Sequence, residues 1–145
     1  MVTLSDLPSV SVASMNDMYL EEVKIIEAFL DALQDERDFT LLSEHFETLL
    51  AHMQKHFESE EKLMQEAQYP SFRMHKGDHD KVLNEARYSE MEWRNRKDVD
   101  ALKEYLDEEL LPWLDQHIKA MDVPMADFLS QFEKYRGYSL LGKSR

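Results

Sequence analysis

Residues 40–70 read TLLSEHFETLLAHMQKHFESEEKLMQEAQYP, and this stretch decides the fold. Leu42, Phe46, Leu49, Met53, His56, Glu60 and Met64 recur at steps of four and three. That spacing lines one face of a long helix. The helix must stop by Tyr69-Pro70, because the residue before a proline is pushed out of the helical region. The stripe is apolar in its first half and polar at His56 and Glu60, so the face that builds a core also carries chemistry.

The flanking sequence predicts three further helices. Before it, from about Asn16 and with Ser14 or Asn16 as an expected cap, Tyr19, Val23, Ile26, Leu30 and Leu33 share a face. After it, Ser71 can cap a helix that puts His75, His79, Val82, Ala86, Met91 and Trp93 close to one side. Asp98 can cap another, with Leu102, Leu106, Leu110, Trp113 and His117 in series. Charged connections at 35–38 and 95–97 are short, so successive helices of roughly 20–28 residues, about 30–42 Å long, should run antiparallel. The expected fold class is all-α: an up-down-up-down four-helix bundle over about residues 14–121, in a single domain with an N-terminal arm. Pro112 predicts a kink or break. Val123-Pro124 predicts a separate short helix over about 124–134, followed by a tail at 137–145.

Composition agrees and excludes alternatives. The chain has 145 residues, 43% of them hydrophobic, with a net charge of −13 from 17 Lys+Arg and 30 Asp+Glu. It can fill a core. Such acidity disfavours nucleic acid and anionic membranes. No Cys means no disulfide, no thiolate zinc site and no iron–sulfur cluster. Three Gly leave little for phosphate-cradling loops. Met1 to Ser14 lacks the basic and apolar regions of a signal peptide, and no run is long enough to span a membrane, which points to the cytoplasm.

The polar residues on the apolar faces come in pairs: His56 with Glu60, His75 with His79, and His117 with Asp122. Side chains four apart on a helix point the same way, so each of the first two pairs can grip one metal ion. Any single pair has an ordinary explanation as a hydrogen-bonded boundary residue. Three pairs on three inward faces would leave many polar groups in a core without partners, which is costly. Together they point to a metal site. Imidazole plus carboxylate suits iron, zinc or manganese rather than calcium, and six ligands exceed what one tetrahedral zinc requires. No His follows a Glu by three residues, which excludes the ferritin-like di-iron pattern, and HExxH is absent.

These motifs, in this order, resemble the bacterial hemerythrin (HHE) family. His56-Phe57-Glu58-Ser59-Glu60-Glu61, Leu63-Met64, Tyr69-Pro70, His75-xxx-His79 and Trp113-Leu114-xx-His117-xxxx-Asp122 carry the likeness, which covers about residues 14–130. The resemblance implies two iron ions with a bridging oxo or hydroxo group, and reversible binding of dioxygen. It implies that His75, His79 and His117 hold one iron, that Glu60 and Asp122 bridge the pair, and that His56 ligates the second. The family supplies a further first-helix His to that second iron. Here Asn16-Asp17-Met18-Tyr19 stands in its place, and the first helix contains no His.

Tyr19 therefore has three readings: a phenolate ligand favouring Fe(III), a hydrogen-bond donor at the site, or a core aromatic that only fills space. Glu22 reads as a solvated residue and a weak substitute ligand. His52 and His45 read as boundary or surface residues, and Met53, Met64, Met74 and Met121 as core packing, with Trp93 and Trp113 beside them. The expected function is a monomeric oxygen carrier, store or sensor. The alternative is a redox or hydrolytic enzyme whose Tyr–Fe(III) centre handles peroxide, nitric oxide or a phosphate ester.

Overall fold

The computed structural model describes residues 12–35 and 38–136, which are helical almost throughout and contain no strand. The expected arm through residue 11 and the tail at 137–145 lie outside the described residues. Three long helices come first: α1 (Ala13–Asp35), α2 (Phe39–Glu66) and α3 (Phe72–Arg96). A fourth rod follows as α4 (Val99–Glu104), a π-helical stretch at Tyr105–Leu110, α5 (Leu111–His117), a second π stretch at Ile118–Asp122, and α6 (Val123–Arg136).

Local chemistry fixes the helix ends. Asp38 caps α2, its carboxylate accepting from the backbone N–H of Thr40 at 2.8 Å and of Leu41 at 3.2 Å, which stabilises a helix start by about 1 kcal/mol. At the other end Gln68 turns left-handed (φ 54). The N–H of Gln68 then reaches Gln65 O at 3.2 Å and that of Tyr69 reaches Met64 O at 2.9 Å, closing the last carbonyls before Pro70. Asp98 caps α4 through the Ala101 N–H, as expected. Ser71 stands ahead of α3 but makes no side-chain cap bond. Ser14 and Asn16 lie inside α1, which starts at Ala13.

Pairings across helices set the packing. Phe29 of α1 meets His45 and Phe46 of α2, while Glu22, two turns earlier, meets His52 and His56, further along α2. Trp93 of α3 donates to Ser43 of α2, while His79 meets Glu61. The core between the helices holds Phe29, Phe46, Leu42, Leu49, Met53, Met64, Leu106 and Ile118, each 2% exposed or less. Fully burying side chains of this size contributes roughly 1.5–3 kcal/mol each.

Three expectations need correcting. The inward face of α1 is Met15, Tyr19, Glu22, Ile26, Phe29 and Leu33; it keeps Tyr19, Ile26 and Leu33 of the apolar series but takes Glu22 and Phe29 in place of Val23 and Leu30, which are only half-buried. The apolar pattern missed it because a glutamate occupies one of its positions. Met74 and Met91 are exposed, at 64% and 51%, rather than packed. The rod from Val99 to Arg136 keeps helical backbone angles at each junction, so Pro112 breaks nothing and Val123-Pro124 continues an existing helix. Each proline comes two residues after a π stretch, where the wider turn accommodates a ring and a missing N–H that a tight α-turn resists.

Candidate metal centre

Four helical segments bring the predicted residues to one end of the core. α1 contributes Tyr19, α2 His56 and Glu60, α3 His75 and His79, and the last rod His117 and Asp122, and all seven are buried. Asp122 was expected just beyond a helix end, but it closes the second π stretch. In a regular α-helix, residues five apart point about 140° from each other at 3.6 residues per turn. The wider π turn brings them together, and His117 Nε2 sits 3.0 Å from Asp122 Oδ1.

Ligand atoms of Glu60, His75, His79, His117 and Asp122 all lie within 4.8 Å of one another. Glu60 Oε1 faces His79 Nε2 at 3.1 Å and His75 Nε2 at 3.4 Å. Asp122 Oδ1 faces His75 Nε2 at 2.9 Å. Each carboxylate turns its second oxygen the other way. Glu60 Oε2 lies 2.9 Å from His56 Nε2. Asp122 Oδ2 accepts a 2.7 Å hydrogen bond from the Tyr19 hydroxyl. The two acids therefore divide the site into a half with three imidazoles and a half with His56 and Tyr19.

Carboxylates also stand behind the imidazoles. Asp78 Oδ2 lies 2.6 Å from His117 Nδ1, and Glu61 Oε2 lies 2.9 Å from His79 Nδ1. Such a partner fixes the tautomer and presents Nε2 inward. Rings close the walls: Phe57 stacks on His79 at 4.0 Å, and Trp113 on His117 at 4.5 Å. Asp78 is not marked by any motif in the sequence, and Glu61 is marked only as part of one. Their positions beside His79 and Glu60 were the available signal.

Glu22 is the larger correction. It is 2% exposed, not solvated. Its Oε1 lies 3.2 Å from His52 Nδ1 and 3.3 Å from His56 Nδ1. His52 is half-buried and reaches the exposed Glu21 through Nε2 at 3.2 Å. His45 stacks on Phe29, away from these groups.

The electrostatics match a nest of opposite charges. Burial pushes the Glu60 carboxyl up, but the charge of His56, its hydrogen bond and the close imidazoles of His75 and His79 outweigh it and hold it well below the usual range. Burial lowers His75, yet contacts with Asp122 and Glu60 raise it to about 9. Burial also opposes ionisation of Glu22, but His56 and His52 hold it at about 2. The Tyr19 hydroxyl is pushed far up by burial, then by Asp122 and Glu60, so in the metal-free protein it stays a donor.

Glu60 Oε1, Asp122 Oδ1 and the Nε2 atoms of His75, His79 and His117 are buried without a hydrogen-bond partner, although they approach one another closely. Buried polar atoms are rarely left so. A cation among them would satisfy all five, so the residues fit a metal. A buried His/Glu/Asp cluster inside a helical bundle defines a non-haem metal-binding protein.

Comparison with known proteins agrees. Residues 14–128 match the hemerythrin HHE cation binding domain, and the chain belongs to the hemerythrin family. It is 28% identical over 115 residues to a bacteriohemerythrin of Aquifex aeolicus (strain VF5), covering 79% of this chain and 87% of that one. It is 34% identical over 107 residues to a bacteriohemerythrin of Ralstonia nicotianae, covering 74% and 73%. No solved structure matches the chain. No helix among the described residues is long and apolar enough to cross a membrane.

Proposed function

We propose that this chain is a non-haem di-iron protein that binds dioxygen, as a carrier, store or sensor, within an antiparallel up-down-up-down bundle. His75, His79 and His117 would hold one iron and His56 the second, with Glu60, Asp122 and an oxo or hydroxo group between them. The observation that carries this reading is the splitting of the two acids, each with one oxygen among the three imidazoles and the other toward His56 or Tyr19. A pair of ferrous ions would supply the electrons that dioxygen takes up on binding. The protein's part is to hold the ions, exclude water with Phe57 and Trp113, and keep a proton on Tyr19 or release it. The net charge of −13 supports a monomer that avoids nucleic acid and anionic membranes, and we place it in the cytoplasm.

One observation favours a second reading. The Tyr19 hydroxyl touches Asp122 Oδ2, on the side where the family supplies an imidazole. A metal bound there would lower the phenol's pKa and take it as a phenolate. A hard anionic donor stabilises Fe(III), which disfavours reversible oxygen binding and suits a redox enzyme acting on peroxide or nitric oxide. The two readings separate when the apo-protein is loaded anaerobically with Fe(II) and air is admitted, then removed. A spectrum that appears and reverses supports oxygen binding. An intense irreversible band that is absent from Tyr19→Phe supports the ferric tyrosinate. A single tightly held ion would overturn both.

A further inference from the structure

Glu22 is a buried acid that the hemerythrin motif does not use. It also lines a small, otherwise apolar cavity with Ile26, Leu49, Met53, Phe57, Leu110, Trp113 and Leu114, so that wall gives its charge no polar partner. Its hydrogen bonds go to His52 and His56. Burying a carboxylate in such surroundings is costly unless its partners are well placed.

A pattern explains the placement. His79 has Glu61 at Nδ1 and Glu60 at Nε2; His117 has Asp78 at Nδ1 and Asp122 at Nε2. His56 repeats it, with Glu22 at Nδ1 and Glu60 at Nε2. Glu61 and Asp78 sit at the rim, with side chains 16% and 27% exposed, whereas that of Glu22 is 3% exposed. Glu22 is in turn gripped by His52, one helical turn before His56.

We infer that Glu22, steadied by His52, is the positioning residue of the second metal. It holds His56 in the tautomer and orientation that present Nε2 beside Glu60 Oε2. This rests on the two-metal reading above. The second half lacks the first-helix imidazole, so a fixed His56 matters more there than a fixed His79 or His117 does in the first half. Loss of such an outer partner typically weakens metal binding by about 10–100-fold.

The test is an anaerobic equilibrium titration of the apo-protein with Fe(II), comparing the wild type with Glu22→Gln and His52→Gln. Each variant's apo-protein melt is recorded as a check on folding. The expected result is two ions per wild-type chain. Glu22→Gln then binds the second about 10–100-fold more weakly and the first unchanged. His52→Gln shifts the same step in the same direction, by less. Glu22→Asp, which keeps the charge, should recover part of the loss, which a merely space-filling role would not allow. Equal weakening of both ions, or no weakening in Glu22→Gln, overturns the role of Glu22 while leaving the two-metal reading intact. A single ion in the wild type overturns that reading and this inference with it. Three ions in the wild type would overturn positioning and make Glu22, His52 and His56 a ligand set of their own.

Discussion

The two halves of the metal site are built from the same parts to different degrees. The half around His75, His79 and His117 has three imidazoles, one oxygen from each of Glu60 and Asp122, and carboxylates behind His79 and His117. The half around His56 has one imidazole, the other oxygen of each acid, and a phenol. Three neutral nitrogens and two anionic oxygens make a nearly complete donor set for one ion. The second set is short of a neutral donor, and its buried acid, Glu22, supports His56 instead of facing the acids. The comparison teaches that affinity and reactivity need not reside in the same half.

The strongest way to break this comparison is to remove a ligand from the richer half. His117→Ala should abolish tight metal binding, because it deletes one nitrogen and leaves Asp78 and Asp122 without the imidazole between them. Metal analysis after desalting checks this, and two retained ions would refute the assignment. A change in the poorer half should act on one ion only. Tyr19→His restores the imidazole expected there, and should tighten the second ion and make any oxygen spectrum more readily reversible, as read by absorption through cycles of air and argon.

Asp78→Asn and Glu61→Gln sharpen the contrast. Each should weaken the first ion by about 10-fold, less than Glu22→Gln weakens the second, and leave the second nearly unchanged. The smallest effect is pH dependence. In the metal-free protein His75 is raised from 6.5 to about 9. Its stabilising contribution is full below pH 6.5 and is lost as pH rises through 9, so apo-protein melting temperature should fall across that window. Metal must displace the same proton, so metal affinity should rise across it. An apo-protein melting temperature that rises with pH would contradict the paired His75–Asp122 geometry.

Much of this was legible in the sequence, because the signals are local. The i,i+4 pairs His56/Glu60 and His75/His79 mark inward faces whatever the rest of the chain does, and Pro70 marks a helix end. What escaped depended on the third dimension. Glu22 occupies an inward position of the series Met15, Tyr19, Glu22, Ile26, Phe29 and Leu33, but a search for apolar residues steps over it to Val23. Asp78 and Glu61 lie beside ligand positions, and their service to His117 and His79 appears only when helices pack. The π stretch ending at Asp122 has no local signature that periodicity can detect, and Val123-Pro124 disguised it as a helix end. The residue types of the site were readable, whereas the groups that orient them were not.

The central claim is that two metal ions bind in unequal halves divided by Glu60 and Asp122. An anaerobic Fe(II) titration of wild type beside Tyr19→Phe, with bound iron counted at each step, tests it most directly. The account predicts two ions per chain in two resolved steps, with only the weaker step altered by the substitution. One ion per chain, or two steps that Tyr19→Phe alters equally, would contradict it.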